Sequence, residues 1–85
     1  MNPSQRLGLR VAELRHKRGM TQKQLALACG TSYGTIQDVE QGRHGGPRYL
    51  TLVALAVALG VSLNKLQEEP GEPTWHPNGK PLVEV

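Results

Sequence analysis

A short polar segment, residues 32–41, carries side chains well suited to specific recognition. Ser32, Thr35 and Gln37 offer hydroxyl and amide groups, which both donate and accept hydrogen bonds. Ile36 and Val39 stand three residues apart, so a helix through this segment buries one edge and exposes the polar edge. Such an edge matches the donors and acceptors that base pairs display in the major groove of DNA. The segment is therefore our candidate recognition helix.

Two short helices joined by a glycine turn are expected to position this segment. Thr21 begins a capping-box signature for a helix over residues 22–29. Gly30 ends that helix at a turn where a positive φ suits glycine. Ser32 then caps the candidate recognition helix. On the first of the two helices, the residues expected to face inward are Leu25, Ala26, Ala28 and Cys29. Together these features predict a helix-turn-helix unit.

Further helices are expected on both sides of this unit. Asn2 and Pro3 predict the start of a first helix, and Gly19 predicts its end. Ser62 predicts the cap of a short fifth helix. With the fourth helix described next, these signals predict an all-α fold. We expect a compact five-helix bundle with a central helix-turn-helix, occupying residues 1–67.

The predicted fourth helix, residues 50–59, is apolar on nearly all of its sides. Every position except Thr51 is Leu, Val or Ala. We therefore expect one face to meet something beyond the core of its own domain, and this face and the start of helix five are our candidate dimer surface. Before this helix, the glycines and proline of residues 43–48 predict a loop.

The sequence offers few groups for catalysis or metal binding. Cys29 is the one cysteine, which excludes an internal disulfide and a cysteine-based metal cage, and we expect it in the core. His16, His44 and His76 lack the spacing of metal ligands. No Ser/His/Asp or paired-carboxylate arrangement is visible, and a domain of this size has little room for a catalytic cleft. We expect no enzymatic activity, no cofactor and no metal.

Charge is divided unevenly along the chain. Residues 1–67 hold nine lysines and arginines against three acids, a net charge of +6, whereas residues 68–85 hold one lysine against four acids, a net charge of −3. A basic body suits a polyanionic partner such as nucleic acid. No leader-like segment and no apolar run of membrane-spanning length are visible. We therefore expect a cytoplasmic protein without membrane contact.

Several short motifs occur in the order and at the spacing of a known family, over roughly residues 6–66. The matching residues are Leu14-Arg15, Gly19-Met20-Thr21-Gln22, Leu25-Ala26, Gly30-Thr31-Ser32, Ile36, Val39-Glu40-Gln41-Gly42, Pro47-Arg48-Tyr49-Leu50 and Ala58-Leu59-Gly60-Val61-Ser62. The chain resembles the Xre/Cro–CI-type helix-turn-helix family, particularly the amino-terminal domains of lambdoid phage repressors. The resemblance implies a lambda-repressor-like bundle that binds double-stranded DNA as a homodimer on a near-palindromic operator. It also implies a bacterial or phage-encoded protein associated with the nucleoid.

The resemblance assigns roles to individual residues. It implies that Gln22 contacts a backbone phosphate and braces the recognition helix. It also implies that Arg15 and Glu40 form a partly buried salt bridge between helices one and three. Arg43 and Arg48 fall in a loop that the family uses for backbone and minor-groove contacts. The complete set of expected DNA-binding residues is Thr21, Gln22, Lys23, Ser32, Tyr33, Gly34, Thr35, Gln37, Asp38, Arg43 and Arg48.

The expected base-reading positions differ from those of the phage repressors. By resemblance they are Tyr33, Gly34 and Asp38, where the repressors favour amides that pair with adenine. Tyr33 can stack on a base or pack against a thymine methyl. Asp38 has two interpretations: it accepts a hydrogen bond from a cytosine amino group, or it forms a salt bridge with a neighbouring arginine or lysine. The resemblance therefore locates the reading surface without identifying the bases.

Residues 68–85 predict an acidic tail that is extended or disordered. Four of the six prolines lie there, which excludes a helix. Asn78-Gly79 is a hairpin-turn dipeptide, although the flanking prolines weaken that prediction. Residues 82–85 could add as a strand to a partner.

The sequence and its resemblance to the family leave two functions open. The first is a sequence-specific transcriptional regulator, specifically a repressor. The alternative is a DNA-binding protein similar to antitoxins of the HipB kind, whose tail binds a partner protein.

Overall fold

The computed structural model describes residues 2–68. Its helices are α1 (Pro3–Lys17), α2 (Gln22–Cys29), α3 (Tyr33–Gln41), α4 (Tyr49–Leu59) and α5 (Leu63–Leu66), with one turn of 3₁₀ helix at Arg43–Gly45. Residues 2–68 contain no strand, and the predicted all-α bundle with a central helix-turn-helix is confirmed. The tail from residue 69, its predicted turn at 78–79 and the candidate strand at 82–85 lie outside the described residues. None of the described helices is long and apolar enough to cross a bilayer.

Side-chain caps begin four of the five helices. In each, the side-chain oxygen accepts a hydrogen bond of 2.8–3.1 Å from the backbone N–H three residues later. These caps are Asn2, Thr21, Ser32 and Ser62. α4 differs, because its N-cap residue Arg48 makes no such bond. The starts of the capped helices are therefore encoded within a few residues of each start.

The core lies where α1, α2, α3 and α4 meet, and α5 adds the buried side chain of Leu66 to it. Its fully buried apolar side chains of large volume are Val11, Leu25, Ile36, Leu55, Leu59 and Leu66. On α2, Leu25 and Ala26 are buried and Cys29 packs against the core, as predicted. The prediction for Ala28 was wrong, because this residue is exposed. Each residue turns a helix by about 100°, which places Ala28 about 100° from the centre of the face that Leu25, Ala26 and Cys29 share.

Arg10 of α1 and Arg18, the C-cap residue of α1, bind the C-terminal ends of other helices. Arg10 Nε donates to the backbone oxygen of Lys65 at 3.1 Å, and its guanidinium also pairs with Glu13. Arg18 Nη1 donates to the backbone oxygen of Leu59 at 3.2 Å. Cations at these positions satisfy free carbonyl groups and oppose the negative end of the helix dipole. Part of the positive charge of α1 therefore stabilises the bundle and is not free to meet a partner.

Gly8 allows α1 and α3 to cross closely. A Cβ atom at this position would lie 2.6 Å from the backbone oxygen of Glu40 and still closer to that of Val39. Because both obstacles are backbone atoms, no side chain can move aside to make room. The two helices would have to separate to accept even a methyl group.

Gly8→Ala should therefore lower the free energy of unfolding by about 1–3 kcal/mol, the usual cost of overpacking. In a domain of this size each kcal/mol lowers the Tm by about 4–8 °C, which circular dichroism can follow. Gly34→Ala is the matched control, because its Cβ would meet only Ser32 Oγ at 3.9 Å. The control should keep or raise the Tm, since alanine favours a helix over glycine. An unchanged Tm for Gly8→Ala would contradict the close crossing.

Candidate nucleic-acid interface

The turn between α2 and α3 fixes how the two helices cross. Gly30 has a φ of 69°, in the left-handed region that favours glycine. The Thr31 N–H donates to the backbone oxygen of Ala26 at 3.0 Å, which closes the end of α2. Leu25 on α2 and Ile36 on α3 are fully buried and attach both helices to the core. α3 is left with one side on the core and the other in solvent.

The solvent side of α3 carries the residues expected to read bases. Those that are exposed or half-buried are the N-cap residue Ser32 and the helix residues Tyr33, Gly34, Thr35, Gln37 and Asp38. Ser32 Oγ accepts from the Thr35 N–H and lies 2.9 Å from Thr35 Oγ1, so the two hydroxyls are bonded to each other. Tyr33 and Gln37 are four residues apart, which places the phenol and the amide on one helix face. The structure thus brings these expected positions together on one surface.

The N-terminal end of this surface is joined to the start of α2. Lys23 Nζ lies 5.5 Å from the centroid of the Tyr33 ring, within cation–π distance. A cleft of about 520 Å³ opens beside this contact. Its lining residues are Arg15, His16, Gly19, Met20, Thr21, Gln22, Lys23 and Tyr33. A helix N-terminus with a lysine supplies positive potential here, which suits an anion such as a backbone phosphate.

A buried ion pair supports α3 from behind. Arg15 Nε lies 2.7 Å from Glu40 Oε2, and Arg15 Nη2 lies 3.1 Å from Glu40 Oε1, in a bidentate arrangement. Arg15 Nη1 also donates to the backbone oxygen of Met20 at 2.8 Å. Gln22 Nε2 donates to Glu40 Oε1 at 3.0 Å. Glu40 therefore ties α3 to α1 and to the start of α2, and it holds Gln22 beside the recognition surface.

At the other end of α3, Asp38 meets two side chains of the following loop. Arg43 Nη1 donates to Asp38 Oδ1 at 3.4 Å. His44 Nε2 lies 3.6 Å from Asp38 Oδ2. His44 has a φ of 59°, which is uncommon for a residue other than glycine, so the chain turns sharply there. Of the two interpretations of Asp38, the structure shows the one with a neighbouring arginine.

The loop and α3 share a second concave surface. A groove of about 340 Å³ lies between them, and its lining includes Thr35, Asp38, Arg43 and Arg48. Arg48 is exposed and directly precedes α4. Eight of the eleven expected DNA-binding residues therefore line one or the other of these two concave surfaces, and the other three are Ser32, Gly34 and Gln37.

Two contacts at this interface were not foreseen from the sequence. His44 is not among the expected DNA-binding residues, because the sequence tests it only as a metal ligand, for which its spacing is unsuitable. No helical spacing signals its approach to Asp38, since five residues and a left-handed turn separate the two. Lys23 and Tyr33 were both expected at the site, but their contact crosses the turn between α2 and α3 and has no local signature.

The surroundings of two further groups, His16 and Cys29, favour their uncharged forms. Burial and the neighbouring Arg15 lower the pKa of His16, against the opposing effect of Glu40, which keeps the ring neutral at pH 7. Burial raises the pKa of the Cys29 thiol, which favours its protonated form. Within residues 2–68 no three His, Cys, Asp or Glu side chains lie together as a metal site.

Comparison with known sequences identifies related regulators. Residues 11–66 match the model of a helix-turn-helix family. The uncharacterized HTH-type transcriptional regulator RghRB of Bacillus subtilis is 38% identical over 64 residues, which are 75% of this chain and 46% of that protein. The uncharacterized HTH-type transcriptional regulator y4dJ of Sinorhizobium fredii is 39% identical over 56 residues, 66% of this chain and 71% of that protein. The match thus spans about half the length of the first relative and most of the second.

A solved structure shows the same fold. The restriction-modification controller protein C.AhdI of Aeromonas hydrophila superimposes with a TM-score of 0.70 at 29% sequence identity. The superposition covers 73% of this chain and 92% of that chain. From the family match, the related sequences and this shared fold, the chain belongs to the Xre-type helix-turn-helix family, a family of DNA-binding transcription regulators and not of enzymes.

Proposed function

We propose that this protein is a transcriptional repressor that reads duplex DNA by placing α3 in the major groove. The observation that carries the proposal is the exposed polar face of α3, held rigidly by the buried Arg15–Glu40 pair behind it. The major groove is about 12 Å wide and admits an α-helix. In helix-turn-helix proteins the second helix lies in the groove while the first crosses the backbone. α3 and α2 correspond to these two helices.

In this arrangement the expected residues divide into two groups. The base-facing group is Ser32, Tyr33, Gly34, Thr35 and Gln37, and the phosphate-facing group is Thr21, Gln22, Lys23 and Arg48. Asp38 and Arg43 lie between the two groups as an ion pair. Phosphate contacts fix the orientation of the protein, while base contacts supply the specificity. Gln37 suits a bidentate contact with adenine, and Tyr33, ordered by Lys23, suits a thymine methyl. Gly34 allows the backbone to approach the groove.

A second copy of the chain is the partner that we propose for α4. Leu50 and Val57 are 79% and 75% exposed. With the half-buried Val53 and Ala54, they follow the spacing of a single helix face. An exposed apolar stripe of this kind marks a protein contact. Residues 49–63 contain no charged side chain, so two copies can meet here without charge repulsion.

Self-association through this stripe makes a dimer with twofold symmetry. Its two α3 helices would meet half-sites about one helical turn, or 34 Å, apart, and the operator would be near-palindromic. We propose repression because it is the simplest consequence of such binding: a dimer that covers a promoter blocks RNA polymerase without any further protein contact.

Selection of bound sites from random duplexes tests the proposal. We expect enrichment of a near-palindrome, and a reporter promoter that contains it should lose expression when the protein is supplied. Equal binding to all duplexes, unaffected by alanine at Tyr33 and Gln37, would contradict specific reading. A reporter that gains expression would contradict the repressor assignment alone.

Replacing Arg48 by alanine should weaken binding to all duplexes by a similar factor, because a backbone contact carries little sequence information. Each lost phosphate contact lowers the slope of log K against log salt by about 0.9. A salt titration of the selected site measures this slope. Lys65→Ala on α5 is the matched control and should leave the slope unchanged. An unchanged slope for Arg48→Ala would show that Arg48 makes no phosphate contact.

A further inference from the structure

We infer that Arg43 reads a guanine in the major groove and that Asp38 is the positioning residue that holds it there. The inference rests on the proposed function and deepens it, because it assigns a base contact to a loop residue. It starts from the hydrogen bond between Arg43 Nη1 and Asp38 Oδ1, at 3.4 Å. Through this bond Asp38, on α3, holds the guanidinium of Arg43, which lies in the loop after α3.

Arg43 is on the reading side of α3. It lines the same groove as Thr35 and Asp38, two of the exposed polar positions of the helix. The loop turns back after α3 through the left-handed conformation of Gly42, with a φ of 71°, and then of His44, with a φ of 59°. The guanidinium therefore lies at the C-terminal end of the recognition surface, beside the bases that α3 would meet there.

The remaining donors of Arg43 fit one base edge. A guanidinium carries five N–H donors in a planar fork. Asp38 takes up one of them, and within residues 2–68 the other donors of Arg43 have no protein partner. The free part of the fork can donate to two acceptors at once. Guanine offers O6 and N7 side by side in the major groove, which makes arginine its commonest specific partner.

Asp38 is better placed to hold Arg43 than to read a base. One of its carboxylate oxygens accepts from Arg43, and the other lies 3.6 Å from His44 Nε2, so both have neighbours within the protein. An uncompensated carboxylate would be repelled by the phosphates, and the pairing with Arg43 offsets that repulsion. The pairing also restrains the long Arg43 side chain, which is 60% exposed, and reduces the ordering that binding requires.

The test uses the selected operator with each guanine replaced in turn by 7-deazaguanine. This base lacks the N7 acceptor and still pairs with cytosine. For the unmodified protein we expect one guanine in each half-site at which the replacement raises Kd about tenfold. Arg43→Ala should bind the normal and modified duplexes equally. Asp38→Ala should reduce the effect, and Asp38→Asn should retain more of it because the amide oxygen can still accept from Arg43.

Arg48→Ala is the matched control, since it removes another arginine from the same loop. It should weaken binding generally yet keep the sensitivity to 7-deazaguanine. Thermal unfolding of each variant checks that the fold is intact. The inference is overturned if no guanine is sensitive, or if Arg43→Ala retains the sensitivity. It is also overturned if only the Asp38 variants lose the preference for a G·C pair, because Asp38 itself would then read the cytosine. Failure to select any operator would instead contradict the proposed function.

Discussion

Replacing Glu40 by glutamine should lower the free energy of unfolding by about 3–5 kcal/mol. The Arg15 and Glu40 side chains are only 3% and 0% exposed, and Glu40 Oε1 also accepts from Gln22 Nε2. Glutamine preserves the shape but removes the charge, so Arg15 remains as a buried cation without a counter-ion. Folded domains are stable by only about 5–15 kcal/mol, so this loss is a large share of the total. Urea denaturation followed by circular dichroism measures it.

Asp38→Asn provides the control for this prediction, since it makes the same chemical change on the same helix. The Asp38–Arg43 pair is exposed, at 37% and 60%, and such pairs contribute at most about 1 kcal/mol. Removing both buried charges, with Arg15→Met and Glu40→Leu together, should recover much of the loss, because no unpaired charge then remains. If Glu40→Gln costs no more than Asp38→Asn, the buried pair does not stabilise α3.

Replacing Val57 by lysine should convert the proposed dimer to a monomer. Val57 is 75% exposed on the apolar stripe of α4, so the change leaves the folded monomer intact. In the dimer, each copy would bring a charge into an apolar contact, where burial without a partner is costly. Loss of the second half-site contact should then weaken operator binding on the order of 100-fold or more. Analytical ultracentrifugation and a binding titration measure the two effects.

Leu27→Lys is the matched control, because Leu27 is an exposed apolar residue on α2 and is not part of the α4 stripe. This variant should remain a dimer. Binding of Val57→Lys to a duplex with one half-site should equal that of the unchanged protein, which separates dimerisation from base reading. A Val57→Lys variant that stays dimeric would show that the two copies meet elsewhere.

The architecture of this domain could be predicted from the sequence because its signals are local. Thr21 and Ser32 cap backbone groups only three residues away, and Gly30 and Gly42 end the two central helices with a single left-handed residue each. The spacing of Ile36 and Val39 then decides which side of α3 is buried. Each of these features acts within about one helical turn, so none depends on how the helices pack.

The features that were missed depend on tertiary packing. From composition alone, Arg10 and Arg18 add to the positive charge available to a partner. In the fold they instead donate to backbone oxygens at the ends of α5 and α4. A salt bridge of Asp38 was one of its two interpretations, but its partner, Arg43, is set by the course of the loop after α3, which glycines make hard to foresee. Ala28 was misplaced because a helix of two turns has a narrow buried face. The bases that are read depend on side-chain orientations, which spacing alone does not determine.

Backbone amide chemical shifts during titration with the selected duplex test most directly whether α3 is the DNA-reading element. We expect the largest changes at residues 32–38, smaller changes at residues 21–23 and 43–48, and little change across α1 outside the cleft. A shuffled duplex of equal length should affect residues 21–23 and 43–48 without the changes along α3. If the selected duplex leaves the amides of α3 unchanged while it perturbs another surface, α3 does not read DNA.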